Sequence, residues 1–221
     1  MTVLEVMATL RRDERRLPVS VKPSSASAEA IRLALQLRDV AARAGGRVVL
    51  FVPASRLADA SHAAGDAARG LLELRDGPVL MMDLRDNADS AATGGWINAL
   101  TADDELQVVW GGAAASNVAA VLRPMAGQLS KLQYASSAEF VSTVDDVRAR
   151  YPYVLCIGDS ALGSVPTLMM AGLADAVVLS VLAGQTTKSE MQEVTAELRR
   201  AHAKLLGFVV DPRGTQRKAE R

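Results

Sequence analysis

The sequence predicts a three-layer α/β fold built on a doubly wound, mostly parallel sheet, and three observations predict it. Short apolar runs of strand length alternate along the chain with segments that carry apolar residues at helical spacing. Several of the runs, Val79-Leu80-Met81-Met82, Val154-Leu155-Cys156-Ile157 and Val177-Val178-Leu179-Ser180-Val181, are apolar without polar alternation. Strands read this way when helices cover both faces of a parallel sheet. Finally, 221 residues suffice for one sizeable core, so a single domain is expected over residues 28–212, between a flexible arm at 1–27 and a short basic tail at 213–221.

Each element has its own signal. Residues 1–27 combine the Arg11 to Arg16 charge run with a Pro- and Ser-rich stretch, which is the composition of an unpacked arm. Ser27 is the N-cap of a helix expected over 30–44, with Ile31, Leu35, Leu37 and Val40 at helical spacing and Gly45-Gly46 as its stop. A strand at 47–52, a helix at 60–74 and a strand at 78–84 follow. The next stretch predicts a short helix at 94–99, a strand at 106–110 and a helix at 117–122. Beyond it come a helix at 136–150, a strand at 153–157, a helix at 165–171, a strand at 176–182, a helix at 188–202 and a last strand at 205–210.

Composition removes several function classes. Formal net charge is +0 with a pI of about 6.8, so no basic field gathers nucleic acid or anionic lipid. No apolar run approaches the ~18 residues of a membrane span. The basic residues near the amino terminus follow the apolar stretch, the reverse of a secretory signal, and a cytoplasmic location is expected. One cysteine, Cys156, sits inside a strand-like run, where a buried apolar thiol is expected rather than a nucleophile. With two histidines and that one cysteine, no metal site is expected.

In doubly wound sheets ligands bind beyond the carboxyl ends of the strands, so the loops there decide function. The loop after the first strand, Pro53-Ala54-Ser55-Arg56-Leu57-Ala58-Asp59-Ala60-Ser61, contains no glycine and no lysine. A P-loop needs glycines so that backbone amides turn in on phosphates, and a lysine to meet their charge. Here Asp59 stands at the glycine, Ala60 at the lysine and Ser61 at the hydroxyl that would face magnesium. After the second strand, Asp83 and Arg85 place an acid and a guanidinium at a strand end, and Asp159 supplies a second acid after the strand at 153–157. Such acids either hold a magnesium ion or cap the helix that follows, where the dipole favours negative charge. His62 beside Ser61 and Asp59 or Asp66 reads as a helix start rather than a nucleophile set, and His202 as a surface residue at a helix end. Trp96 and Trp110 read as packing residues, with an exposed place on a partner surface the alternative for Trp96 beside Gly94-Gly95.

The order of these motifs resembles the bacterial tyrosine autokinases of capsule and exopolysaccharide synthesis, P-loop domains related to the ParA/MinD ATPases. Glu29-Ala30-Ile31-Arg32 is similar to the start of the family's Glu-x-x-Arg-x-x-Arg oligomer helix, with Leu35 at the last arginine. Met82-Asp83-Leu84-Arg85 is similar to its second Walker element with Met81 at the first acid, and Tyr151 to Ser160 to its "YDYVIIDTPP" segment. Residues 171–186 resemble its "LADGVLLVVRAGKT", with Leu182 at the arginine and Gln185 at the lysine. Leu206 to Asp211 resembles "LGVVLN", with Asp211 at the asparagine.

The resemblance implies a P-loop NTPase-like scaffold whose ligand-facing positions have departed together. Asp59, Ala60, Ser61, Asp83, Arg85, Asp159 and Asp211 would then line a vestigial nucleotide site with no catalytic residue, no metal and no cofactor. It further implies a protein partner, a membrane chain-length regulator or other polysaccharide-export component, and a homo-oligomer contact through Glu29 and Arg32. The expected function is that of a catalytically inactive accessory or scaffold in exopolysaccharide production. The alternatives are a residual ATP-binding kinase or ATPase using Asp83, Asp159 and magnesium, and a ParA/MinD-like accessory of cellulose synthesis or partition.

Overall fold

The computed structural model describes residues 26–56, 58–77, 79–85, 118–122 and 138–211. Eleven elements follow one another along them: α1 (Ala28–Arg38), β1 (Arg47–Pro53), α2 (Ser61–Glu73), β2 (Val79–Asp83), β3 (Val118–Leu122), α3 (Ala138–Arg150), β4 (Tyr153–Ile157), α4 (Val165–Leu173), β5 (Ala176–Leu182), α5 (Lys188–Arg200) and β6 (Leu205–Asp211). The six strands form one sheet in the order β3-β2-β4-β1-β5-β6, and all five pairings are parallel.

Burial explains the apolar runs. Alternate residues of β1 point to opposite faces, so Val48, Leu50 and Val52 join one core with Phe140, Val144 and Val147 of α3, Met170 of α4 and Val194 and Leu198 of α5. Val49 and Phe51 join a second core with Leu33, Ala34 and Leu37 of α1 and Ala63, Ala64, Ala67 and Leu71 of α2. Both faces of the central strands are therefore covered, which makes the three-layer, doubly wound architecture. The small residues of α2 let α1 approach closely. A Cβ added at Gly70 would lie 2.3 Å from the Ala30 carbonyl oxygen and 2.9 Å from the Ala34 Cβ.

The caps follow the expected chemistry at several ends. Ser27 Oγ accepts the Ala30 N–H at 3.1 Å. Thr187 and Glu190 close a capping box at α5, and Ser164 caps α4 with Pro166 in its first turn. His202 sits exposed just past α5 with φ 56°, in the left-handed region that ends a helix.

Two expected elements need correction. The first helix stops at Arg38, not at 44, because the chain beyond it is claimed by other segments: the Arg43 N–H donates to Asp175 Oδ1 at 3.1 Å and Arg43 Nη2 to the Gly172 carbonyl at 2.8 Å. The stretch read as a helix at 117–122 is strand β3, with Leu80, Met81 and Met82 of β2 in register with Ala120, Val121 and Leu122. Its alanines favour helix in isolation, but pairing with a neighbouring strand overrides so short a propensity signal. The expected elements at 94–99 and 106–110, with Trp96 and Trp110, lie outside the described residues, as do nearly all of the arm and the whole of the tail.

A buried ion pair ties the amino-terminal side of the sheet together. The Asp175 side chain is fully buried, receives the Val48 N–H at 2.9 Å and pairs with Arg148 Nη1, while Arg148 Nη2 donates to the Leu173 carbonyl at 3.2 Å.

Candidate functional site

The carboxyl edge of the sheet holds the candidate site. Pro53, the last residue of β1, is in register with Ser180 of β5, and the Ala54 N–H donates to the Ser180 carbonyl at 2.8 Å, so the loop leaves the sheet along β5. Hydroxyls then hold it down. Ser180 Oγ donates to the Asp59 carbonyl at 3.0 Å, and buried Ser55 meets Thr186 Oγ1 at 3.5 Å. Thr186 Oγ1 in turn accepts the Leu182 N–H at 3.0 Å.

Asp59 is the focus of this loop. Its Oδ1 accepts the Ser61 N–H at 2.8 Å, its Oδ2 accepts the Ser61 hydroxyl at 2.8 Å, and Arg85 Nη1 donates to Oδ1 at 2.7 Å. Partial burial pushes this carboxyl up, but the two Ser61 hydrogen bonds, Arg85 and His62 outweigh it and hold it below the ordinary 3.8. Ala60, fully buried, is the N-cap position of α2 and makes no side-chain cap. The cap comes instead from Asp59, which also places its negative charge at the positive end of the α2 dipole.

The strand ends that carry the other expected acids lie along the same edge. Asp83 ends β2 in register with Ile157, and Asp159 follows β4 two residues later, half-buried. Between them the Leu84 N–H donates to the Ile157 carbonyl at 2.7 Å, and the Gly158 N–H to the Phe51 carbonyl at 2.9 Å. Gly158 has no room for a side chain, since an added Cβ would lie 2.9 Å from Thr167 Cγ2. Ser160, next to Asp159, buries a hydroxyl that meets no hydrogen-bond partner among the described residues. Asp211 ends β6 in register with Leu182, one strand further from β1 than Ser180. Glu29 and Arg32 are exposed on α1. Cys156 is fully buried in β4, and burial pushes its thiol up to about 12, as expected of a packing residue. Among the described residues no three His, Cys, Asp or Glu side chains are grouped to hold a metal ion.

Sequence reasoning passed over Ser55, Ser180 and Thr186. Ser180 had a usable signal, being the one hydroxyl in an otherwise apolar strand core, where a polar group needs a partner. Ser55 and Thr186 gave none, because hydroxyl residues are ordinary in loops.

Neither a protein-family model nor a curated protein sequence matches the chain. Solved structures do. The kinase domain of the Escherichia coli tyrosine kinase ETK superposes with a TM-score of 0.65 at 14% identity, over 90% of this chain and 83% of that one. The VpsO kinase domain gives 0.63 at 19%, over 83% and 95%. A plasmid partition protein from Borrelia burgdorferi gives 0.53 at 12%, over 75% and 78%. The chain has the fold these proteins share. At such identities the likeness extends to the P-loop NTPase-like α/β scaffold, with the loop at 53–61 on its carboxyl edge. No helix among the described residues is long and apolar enough to cross a membrane.

Proposed function

We propose that this chain is a catalytically inactive relative of the bacterial tyrosine autokinases, acting by binding as a cytoplasmic accessory or scaffold in exopolysaccharide production or export. One observation carries the reading. Three groups at this edge suited to an incoming phosphate, namely the Ser61 amide at the start of α2, the Ser61 hydroxyl and the Arg85 guanidinium, all bond to Asp59. The carboxylate occupies the anion position at the helix N-terminus with a group of the protein's own. A magnesium-bound polyphosphate does not fit this donor set: it would have to displace Asp59, and the displaced carboxylate would repel it. The absence of glycine and lysine from the loop supports the same conclusion, because phosphoryl transfer rests on positioning and charge neutralisation by those groups.

Partner binding takes the place of catalysis in this reading. Glu29 and Arg32, exposed on α1, are the assembly contacts between copies, and the protein partner is a membrane chain-length regulator or another export component. The site residues Asp59, Ala60, Ser61, Asp83, Arg85, Asp159 and Asp211 are then the remains of a nucleotide cleft. Isothermal titration with Mg-ATP is the test, with no saturable heat expected; tight binding would sink the proposal. A second reading, residual nucleotide use, draws on the adjacent strand ends that carry Asp83 and Asp159. It requires an ATP-dependent turnover that Asp83→Asn abolishes.

A further inference from the structure

We propose that the outer edge of β6 is an interface between two copies of this chain, formed by antiparallel pairing about Phe208. Among the described residues β6 has a neighbour on its inner side only, β5, and an edge strand presents a row of backbone donors and acceptors to a further strand. Natural edge strands are usually blunted by charge or proline. Here the whole run from Leu205 to Val210 carries none, and Leu206, Phe208 and Val210 are 41%, 62% and 51% exposed. Phe208 and Val210 pair with Leu179 and Val181 of β5 and lie on the α3–α4–α5 side of the sheet, beyond the cover those helices give the central strands.

A second copy is the occupant that this strand fits. A two-fold axis through Phe208 sets Phe208 against itself and Gly207 against Val209 of the other copy, within the regular part of the edge, where directly opposed residues of an antiparallel pair share a face. The charges agree with that direction. Lys204 precedes the strand and Asp211 ends it, so antiparallel pairing brings unlike charges to each end, whereas parallel pairing would bring like charges together. The contact is isologous and closes at two copies. The irregularity in the β5–β6 register falls between Leu205 and Gly207, leaving Gly207 to Asp211 as the regular part of the edge. This surface is separate from Glu29 and Arg32 and does not rest on the proposed function.

The test uses the full chain. Sedimentation equilibrium of the wild type is expected to contain the dimer formed through β6, and Phe208→Asp to halve the mass of the species present. Phe208→Cys is expected to form an intermolecular disulfide under mild oxidation, since opposed Cα atoms in such a pair are about 4.5–5.5 Å apart. Val210→Cys alone is not, because its two copies would stand about 13 Å apart at ~3.3 Å per residue. A monomeric wild type overturns the proposal, as does an oligomer that keeps its mass in Phe208→Asp and fails to cross-link at 208.

Discussion

Arg85, just past the end of β2, donates a 2.7 Å hydrogen bond to the Asp59 carboxylate in the loop between β1 and α2. The pair joins two loops that no strand pairing joins directly, because β4 lies between β1 and β2. Its pH dependence follows from the direction in which Asp59 is shifted. Held below the ordinary 3.8, Asp59 binds its proton less tightly in the folded state, so its contribution is complete above that value and is lost as pH falls through the lower folded one. The carboxylate is half exposed, which keeps the effect small. Urea unfolding should put the wild type roughly 0.2–1 kcal/mol above Asp59→Asn near neutrality, with the gap closing as pH falls below the ordinary 3.8. A gap that widens in acid would contradict the assignment.

Asp175 and Arg148 form a pair of a different kind, since both side chains are almost wholly buried. Asp175→Asn keeps the shape of the site but leaves the Arg148 guanidinium without its counter-charge. A loss of about 3–5 kcal/mol in chemical denaturation is expected. Adding Arg148→Met to that variant should restore part of the loss, because the uncompensated charge is then gone.

Gly70 tests the seam between α1 and α2. Replacing a helical glycine with alanine ordinarily stabilises by about 1 kcal/mol. Here the new methyl would lie 2.3 Å from the Ala30 carbonyl, so Gly70→Ala is expected to destabilise by roughly 1–3 kcal/mol as the helices are forced apart. The sign of the change in thermal midpoint decides it.

Cys156 should be silent. A thiol pushed up to about 12 and fully enclosed offers almost no thiolate at pH 8, so a disulfide reagent should label it only after unfolding. Rapid labelling of the native protein would show that β4 opens locally.

The scaffold was legible because a parallel sheet covered on both faces writes itself as uninterrupted apolar runs, and Val48 to Val52 and Val177 to Val181 could hardly read otherwise. Where the signal was short it failed. Val118-Ala119-Ala120-Val121-Leu122 carries alanines that favour helix, and only its pairing with β2 makes it strand. The end of α1 was misplaced for a similar reason, since what stops it is Asp175 and Gly172, some 130 residues away. The site divided along the same line. The absence of glycine and lysine from the loop is a local property of 53–61, whereas the meeting of Asp59 with Arg85, or of Ser180 with the loop backbone, depends on which strands become neighbours. No spacing along the chain encodes that.

The strand order also governs when this molecule can begin to fold. β1 pairs with β4 and β5 alone, so its first partner residue, Tyr153, lies 106 positions after Arg47 in the register. β2 waits for the same strand on one of its sides. During synthesis β1 therefore has no sheet to join until the chain through Ile157 has emerged, and a truncated product ending after β3 would carry β1 with neither of its neighbours. Long-range pairings of this kind make folding slow relative to local structure. The centre of the domain is thus assembled across a long stretch of chain, and β1, the first strand made, finds its first neighbour only with β4.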